Sequence, residues 1–506
     1  MDFLNAHLLT LILFAPTAVA LLVLLLPARQ VGVIRWVAFI GSLAPLGLSV
    51  FLWFGYRPAE PGFQFQEFVP WYQAIGANYH LGVDGISVPM VLLTTLLTSL
   101  AILISFSIRE RVRAYMVLFL LLETGLLGVF LSLDLLLFFV FWEAGLVPMY
   151  FLINQWGSEN RNYASLKFLI YTMGGSLGLL LAIQMIRLVV GSFDLPVLYS
   201  QWNLLKGTLF GVPVGTVKIL AFWAFVIAFA IKVPIWPFHT WLPDAHAEAP
   251  TGGSIILAGV MLKLGAYGFL RLLLPLYPAE AHDFAGVLGG LAVAGIVLGA
   301  FASWGQKDFK RLVAYSSVNH MGFVVLGIAA AAWARGSASS GDAVLALNGA
   351  VLQMFNHGLS AAGMFLLVGV LYERTHTRQL DDYGGLFALA PLYGGILIFT
   401  SMGSLGLPGL GGFISEFLVV RGSWPIFTLY TAIAMVGLLI TGAYILKAVQ
   451  KVLHGPVNPQ WQGHSLEIGV REALAISPLM ILMLAIGVWP AWILNMINAA
   501  VMHLFG

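Results

Sequence analysis

A run of roughly twenty consecutive apolar residues has two solvents that suit it, a protein interior or lipid. This chain repeats such runs from end to end, at about 8–26, 33–55, 86–107, 114–133, 135–154, 164–188, 217–238, 252–274, 284–303, 311–333, 344–371, 388–420, 426–450 and 473–497. Composition decides between the two solvents. Charged residues make up 9% of the 506, against about 25% in ordinary soluble proteins, and mean hydropathy is +0.93. Too few charges exist to cover so much apolar surface, so lipid is the solvent. Within lipid every backbone polar group must be satisfied inside its own segment, which makes these runs helices. The expected fold is therefore an all-α polytopic membrane protein with about fourteen transmembrane helices.

The absence of cysteine excludes disulfides, iron–sulfur clusters, thiolate metal sites and cysteine nucleophiles. A net charge of +2 without a basic run gives no footprint for nucleic acid. No Lys or Arg precedes the first apolar run, and the first base is Arg29. That pattern fits a first membrane helix rather than a secretory signal. Bases concentrate in alternate loops, among them Arg109, Arg111, Arg113, Lys307, Lys310, Arg311, Arg374 and Arg378. By the positive-inside rule these loops face the cytoplasm and both termini face outside. The expected location is a bacterial inner membrane, with an internal energy-converting membrane as the alternative. The long loops at about 57–85 and 189–216 are rich in Trp, Tyr, Phe and Pro, and are expected to be ordered caps.

Several polar groups sit where lipid makes them costly, at about 2.5–3.5 kcal/mol each on insertion scales. Glu143 is central to its span in LDLLLFFVFWEAGLVPMYFL, and Lys232 follows thirteen residues without a polar side chain, ILAFWAFVIAFAI. Lys263 lies in GGSIILAGVMLKLGAYGFLR and Glu416 in GGFISEFLVV. His320, His357, Glu123, Lys167 and Lys447 also fall within apolar stretches. One acid–base pair serves equally well to brace two helices, and Lys167 and Lys447 are near enough to span ends to snorkel. For Glu123 a structural and a functional role weigh the same. Together, groups of both signs on many helices read as a route along which a proton moves in steps.

Two spans contain helix breakers beside a charge. Lys232-Val233-Pro234-Ile235-Trp236-Pro237 interrupts span seven, and Gly406-Leu407-Pro408-Gly409 interrupts span twelve just before Glu416. Proline removes a helix hydrogen bond and glycine permits the irregular backbone that follows. Broken helices at corresponding places in two halves mark inverted-repeat transporters. The expected division is residues 1–113 as three leading helices, 114–274 (spans four to eight) and 284–450 (spans nine to thirteen) as inverted five-helix repeats, and 451–506 as a closing helix.

The stretch VPIWPFHTWLPDAHAEAPTGGSIILAGVMLKLGAYGFLR (233–271) resembles the central motif of the antiporter-like subunits of respiratory complex I. GVDGIS (82–87), WEAGLVPMY (142–150), YASLKFLIYTMGGS (163–176), KDFKRLVAYSSVNHMGF (307–323) and QMFNHGLSAAGMFLLVGVLYERTHTR (353–378) resemble the chain M type, called subunit 4 in mitochondria. The resemblance runs from about residue 80 to 425. It implies that Glu143 pairs with Lys232, that Lys263 relays protons to the membrane centre, that His320 and His357 link two half-channels, and that Glu416 is the acid of the second broken span. His239 and the Asp244/His246/Glu248 cluster form either a proton entrance or helix caps, and no metal site is expected.

The resemblance further implies a proton-translocating subunit of an NADH:quinone oxidoreductase, with no redox chemistry and no cofactor in this chain. NADH, FMN, iron–sulfur clusters and quinone would belong to partner subunits, and the partners would be the other membrane subunits, including sister antiporter-like chains, and the lipid bilayer. The alternatives are a subunit of a multisubunit cation/proton antiporter or membrane-bound hydrogenase, and a passive membrane scaffold.

Overall fold

The computed structural model describes residues 2–209 and 211–505. Among the described residues thirteen helices are long and apolar enough to cross a membrane, from Leu8–Leu25 to Val470–Val488. Span twelve, expected as the remaining crossing, is built from two shorter helices, Pro391–Leu405 and Gly411–Ser423. The expected last span at 473–497 departs from the sequence reading. It is two helices, Val470–Val488 and Ala491–Phe505, because Pro490 supplies no amide hydrogen and the chain turns at Trp489.

Two faces close the bundle. On one, strands β1 (Gln64–Tyr72) and β2 (Ala77–Val83) form an antiparallel hairpin with Phe68 opposite His80. The short link between spans four and five is tied to it, since Leu133 donates its amide to His80 O at 2.8 Å. Asp134 then starts span five by accepting the amides of Leu136 at 2.9 Å and Leu137 at 3.0 Å, while its other oxygen accepts the Asn78 amide at 2.9 Å. A carboxylate on the first free amides of a helix fixes where that helix begins. The long connection after span six likewise forms a short helix, Leu195–Gln201, and a small strand pair. The opposite face carries Asp244, which accepts from Lys167 at 2.7 Å and Arg311 at 2.8 Å.

Spans eight, ten and eleven are enclosed by the others, and spans two, six and fourteen lie at the periphery. Enclosure is what allows these helices to carry polar side chains. Spans eight and eleven touch at Gly259 and Gly358, where a Cβ on Gly358 would lie 3.0 Å from Gly259 O. Absent side chains let the two backbones meet, which brings the residues beside them within bonding range.

Candidate functional site

Span seven, Val214–Lys232, stops at the break that its prolines impose. Pro234 has no amide to give to Ala230 O, so Ile235 takes that carbonyl at 2.8 Å. Ile231 O is thereby left over, and the Trp241 indole N–H fills it at 2.9 Å. The chain resumes as a helix at Trp241–Glu248. The second break follows a different chemistry. Gly406 ends Pro391–Leu405 with φ +81°, Gly409 follows with φ +95°, and the helix restarts at Gly411. Both breaks predicted from Pro234, Pro237, Gly406 and Pro408 are therefore present, and Lys232 and Glu416 flank them.

Lys232 is buried with its ammonium 4.9 Å from the centre of the Trp142 ring. The Trp142 indole N–H donates to Ser176 Oγ at 3.0 Å, which holds the ring in place. Glu143, next to Trp142, is partly exposed and within Coulombic range of Lys232, yet the two form no ion pair within 4.0 Å among the described residues. The cation rests on an aromatic face instead.

The second cluster is bonded throughout. Lys263 Nζ lies 2.8 Å from His357 Nδ1 and also donates to Ala258 O, a carbonyl in the π-helical turn Leu257–Met261. The Gly259–Gly358 approach, one residue from His357, sets this contact. The His357 and His320 rings are 5.7 Å apart, centre to centre. His320 Nδ1 is 2.7 Å from Glu416 Oε1, and Gln353 Nε2 donates to the same oxygen at 2.9 Å. The Tyr444 hydroxyl faces the other His320 nitrogen at 3.4 Å. Lys263, His357, His320 and Glu416 thus stand in a row, all buried. Each neighbouring couple can share one proton: a Lys ammonium donates to a neutral imidazole, and an imidazolium donates to a carboxylate.

The remaining candidates separate by environment. Glu123 is fully buried, and neither carboxyl oxygen has a hydrogen-bond partner. His239, at the span-seven break, is half-buried with Nδ1 unpartnered and its ring 6.2 Å from that of Tyr315. His246 is enclosed, stacked on Phe365 at 4.4 Å, with both ring nitrogens free of hydrogen bonds. Glu248 accepts the Asn160 amide at 3.0 Å, a helix-capping contact. Lys167 is bound to Asp244, and Lys447 donates to Trp304 O at 2.6 Å and Gln306 O at 2.8 Å, closing the end of Ala285–Gly305.

Sequence reasoning missed Gln353, Tyr444, Trp142 and Lys310. Gln353 carried a usable signal: it lies four residues before His357 in an apolar span, hence on the same helix face. Lys310, read as a loop base, is buried instead, its ammonium donating to Ala249 O at 2.5 Å.

Comparison with known proteins identifies the family of the chain. A family model described as NADH:quinone oxidoreductase/Mrp antiporter, TM, matches residues 132–441, which contain both breaks and the whole buried row. The NADH-quinone oxidoreductase subunit M of Rickettsia conorii is 40% identical over 93% of this chain and 92% of its own. That of Pseudomonas aeruginosa is 41% identical over 93% and 91%. Among solved structures, a chain of respiratory complex I from Thermus thermophilus with bound NADH superposes with a TM-score of 0.84 at 30% identity, covering 98% of this chain and 100% of that one. The chain is a multi-pass membrane protein of the NADH:quinone oxidoreductase/Mrp antiporter family.

Proposed function

We propose that this chain is the subunit M type proton-translocating component of an NADH:quinone oxidoreductase in a bacterial inner membrane, coupling electron transfer in partner subunits to proton movement. The observation that carries the reading is the row Lys263–His357–His320–Glu416, two bonded couples facing each other across 5.7 Å of imidazole separation. Within each couple a proton moves over a hydrogen bond, and between the histidines one water or a ring rotation completes the step. NADH, FMN, iron–sulfur clusters and quinone reside in partner subunits, and sister antiporter-like chains flank this one. Residues 114–274 and 284–450 are two inverted repeats, and the hairpin face is the outer one.

Redox energy delivered from a partner alters the distance between Glu143 and Lys232. With its acid close, the Lys232 charge is compensated; with the acid withdrawn it is not, and the uncompensated ammonium repels a proton on Lys263 and drives it through His357 and His320 toward Glu416. Lys167, His239 and the Asp244/His246/Glu248 cluster supply protons from the opposite face. The test is His320→Leu in the complete complex reconstituted in liposomes, read with a pH-sensitive dye. NADH oxidation through the partner subunits should persist when the membrane is uncoupled, while NADH-driven lumen acidification falls by roughly 10²-fold, the lower end for a lost proton carrier. Undiminished acidification by an assembled variant would remove His320 from the route.

A further inference from the structure

Span eight carries polar residues at every fourth position beyond Lys263, namely Tyr267 and Arg271. Arg271 is buried and pairs with Asp84 at 2.6 Å. Its Nε donates to the Tyr267 hydroxyl at 3.2 Å, and that hydroxyl lies 3.0 Å from Ser87 Oγ, which in turn donates to Asp84 at 3.2 Å. Beyond Arg271 a cavity of about 540 Å³ opens on the hairpin face, lined by Asp84, Arg271, Phe63, Tyr199 and Arg335. Arg271 is eight residues from Lys263, about 12 Å of helix. Only the Tyr267 turn separates the cavity from a lysine that, on the reading above, carries transported protons.

Such proximity invites a short circuit, and the chemistry of this cluster forbids it. The Tyr267 hydroxyl donates to Phe130 O at 3.1 Å and accepts from Arg271, so it is linked onward only to a guanidinium and to Ser87, whose own proton goes to Asp84. A guanidinium in a protein does not release a proton. Burial opposes a charge on Asp84, but Arg271 beside it, with the Ser87 and Ile86 amides, outweighs that and holds the carboxyl below its ordinary range. It is an acceptor only. The Lys263 ammonium is bound to Ala258 O and His357, and it makes no hydrogen bond to Tyr267 among the described residues. A fixed buried cation at the mouth of a pore is also a barrier to protons.

We infer that Asp84, Arg271 and Tyr267 form a proton seal that closes the hairpin end of span eight, so that a proton on Lys263 leaves only through His357. This rests on Lys263 being a proton carrier. The test uses the whole complex in liposomes, following the passive decay of an imposed pH difference without NADH. Arg271→Gln removes the cation and frees Asp84 to protonate, so decay should run several-fold faster than in wild type. Adding Tyr267→Phe to that variant deletes the hydroxyl link and should restore wild-type decay. Tyr267→Phe alone should pump protons like wild type, since a seal needs no hydroxyl relay. Wild-type tightness in Arg271→Gln overturns the seal, as does lost pumping in Tyr267→Phe, which would make the row an exit. If Arg271→Gln fails to assemble, the Tyr267→Phe result still decides. Wild-type complex that does not pump at all would instead remove the proposed function and leave the passive measurement standing by itself.

Discussion

The two broken spans each place a charge beside the break, but they hold it in opposite ways. Glu416 is fixed: His320 Nδ1 bonds to one of its oxygens, Gln353 donates to the same oxygen, and the pair is almost wholly enclosed. Lys232 is loose: its acid Glu143 stands off at the edge of the bundle, and a tryptophan ring takes the place of the carboxylate. A buried ion pair with good geometry resists separation, because parting it leaves uncompensated charges in a poor solvent. A cation resting on an aromatic face gives up only about 0.5–2 kcal/mol when it moves. The difference teaches which half is built to change. On the proposed mechanism the first half is the movable contact and the second is the fixed end of the row.

The comparison breaks most severely at the residue common to both halves. Lys263→Leu should cut NADH-driven acidification by about 10²-fold or more, because His357 then has no donor. Normal acidification by the assembled variant would show that the two halves are not joined through this lysine. Glu143→Gln comes next. It leaves Trp142 and the packing intact but removes the charge that acts on Lys232, so acidification should be lost or nearly lost while assembly, checked by co-purification of the partners, is retained. If Glu143→Gln pumps normally and Trp142→Leu does not, the ring is the working partner of Lys232 and the loose contact is not an acid–base one.

Much of this architecture was legible in the sequence because hydropathy is a one-dimensional signal. The spans and both breaks follow from apolar runs, prolines and glycines alone. Contacts set in three dimensions were less accessible. The 2.8 Å separation of Lys263 and His357 depends on Gly259 meeting Gly358, and nothing local in either span announces that approach. Lys310 looked like a loop base because it lies between Lys307 and Arg311, and only the fold turns it inward. Asp84 and Arg271 were separately visible as a motif and a span end, but their pairing needs the hairpin to lie over span eight.

A smaller effect sharpens the fixed end. Gln353→Leu removes an amide donor to Glu416 and leaves His320 in contact with it. A hydrogen bond to a charged group contributes about 1.5–3 kcal/mol, so the carboxylate should be less well held and acidification should drop several-fold without being lost. Gln353→Glu should do more harm than Gln353→Leu, because it sets a second acid against Glu416. If the two variants behave alike, packing rather than donation is what Gln353 supplies.

The smallest effect is expected at Lys447, and it separates a lysine of the row from a lysine of the frame. Its ammonium is spent on two backbone carbonyls, Trp304 O and Gln306 O, at the end of Ala285–Gly305. Those carbonyls have no partner within their own helix, and a cation at a helix C-terminus is favourable by about 0.3–1 kcal/mol. Nothing in that arrangement needs the proton to leave. Lys447→Met keeps the apolar stem and removes only the charge. It should lower thermal stability of the complex slightly and leave acidification per NADH unchanged. Lys447→Arg, which keeps a donor for both carbonyls but cannot give up its proton, should match wild type in both measurements. Acidification lost in both variants, with stability intact, would place Lys447 on the proton route and extend the second half beyond Glu416.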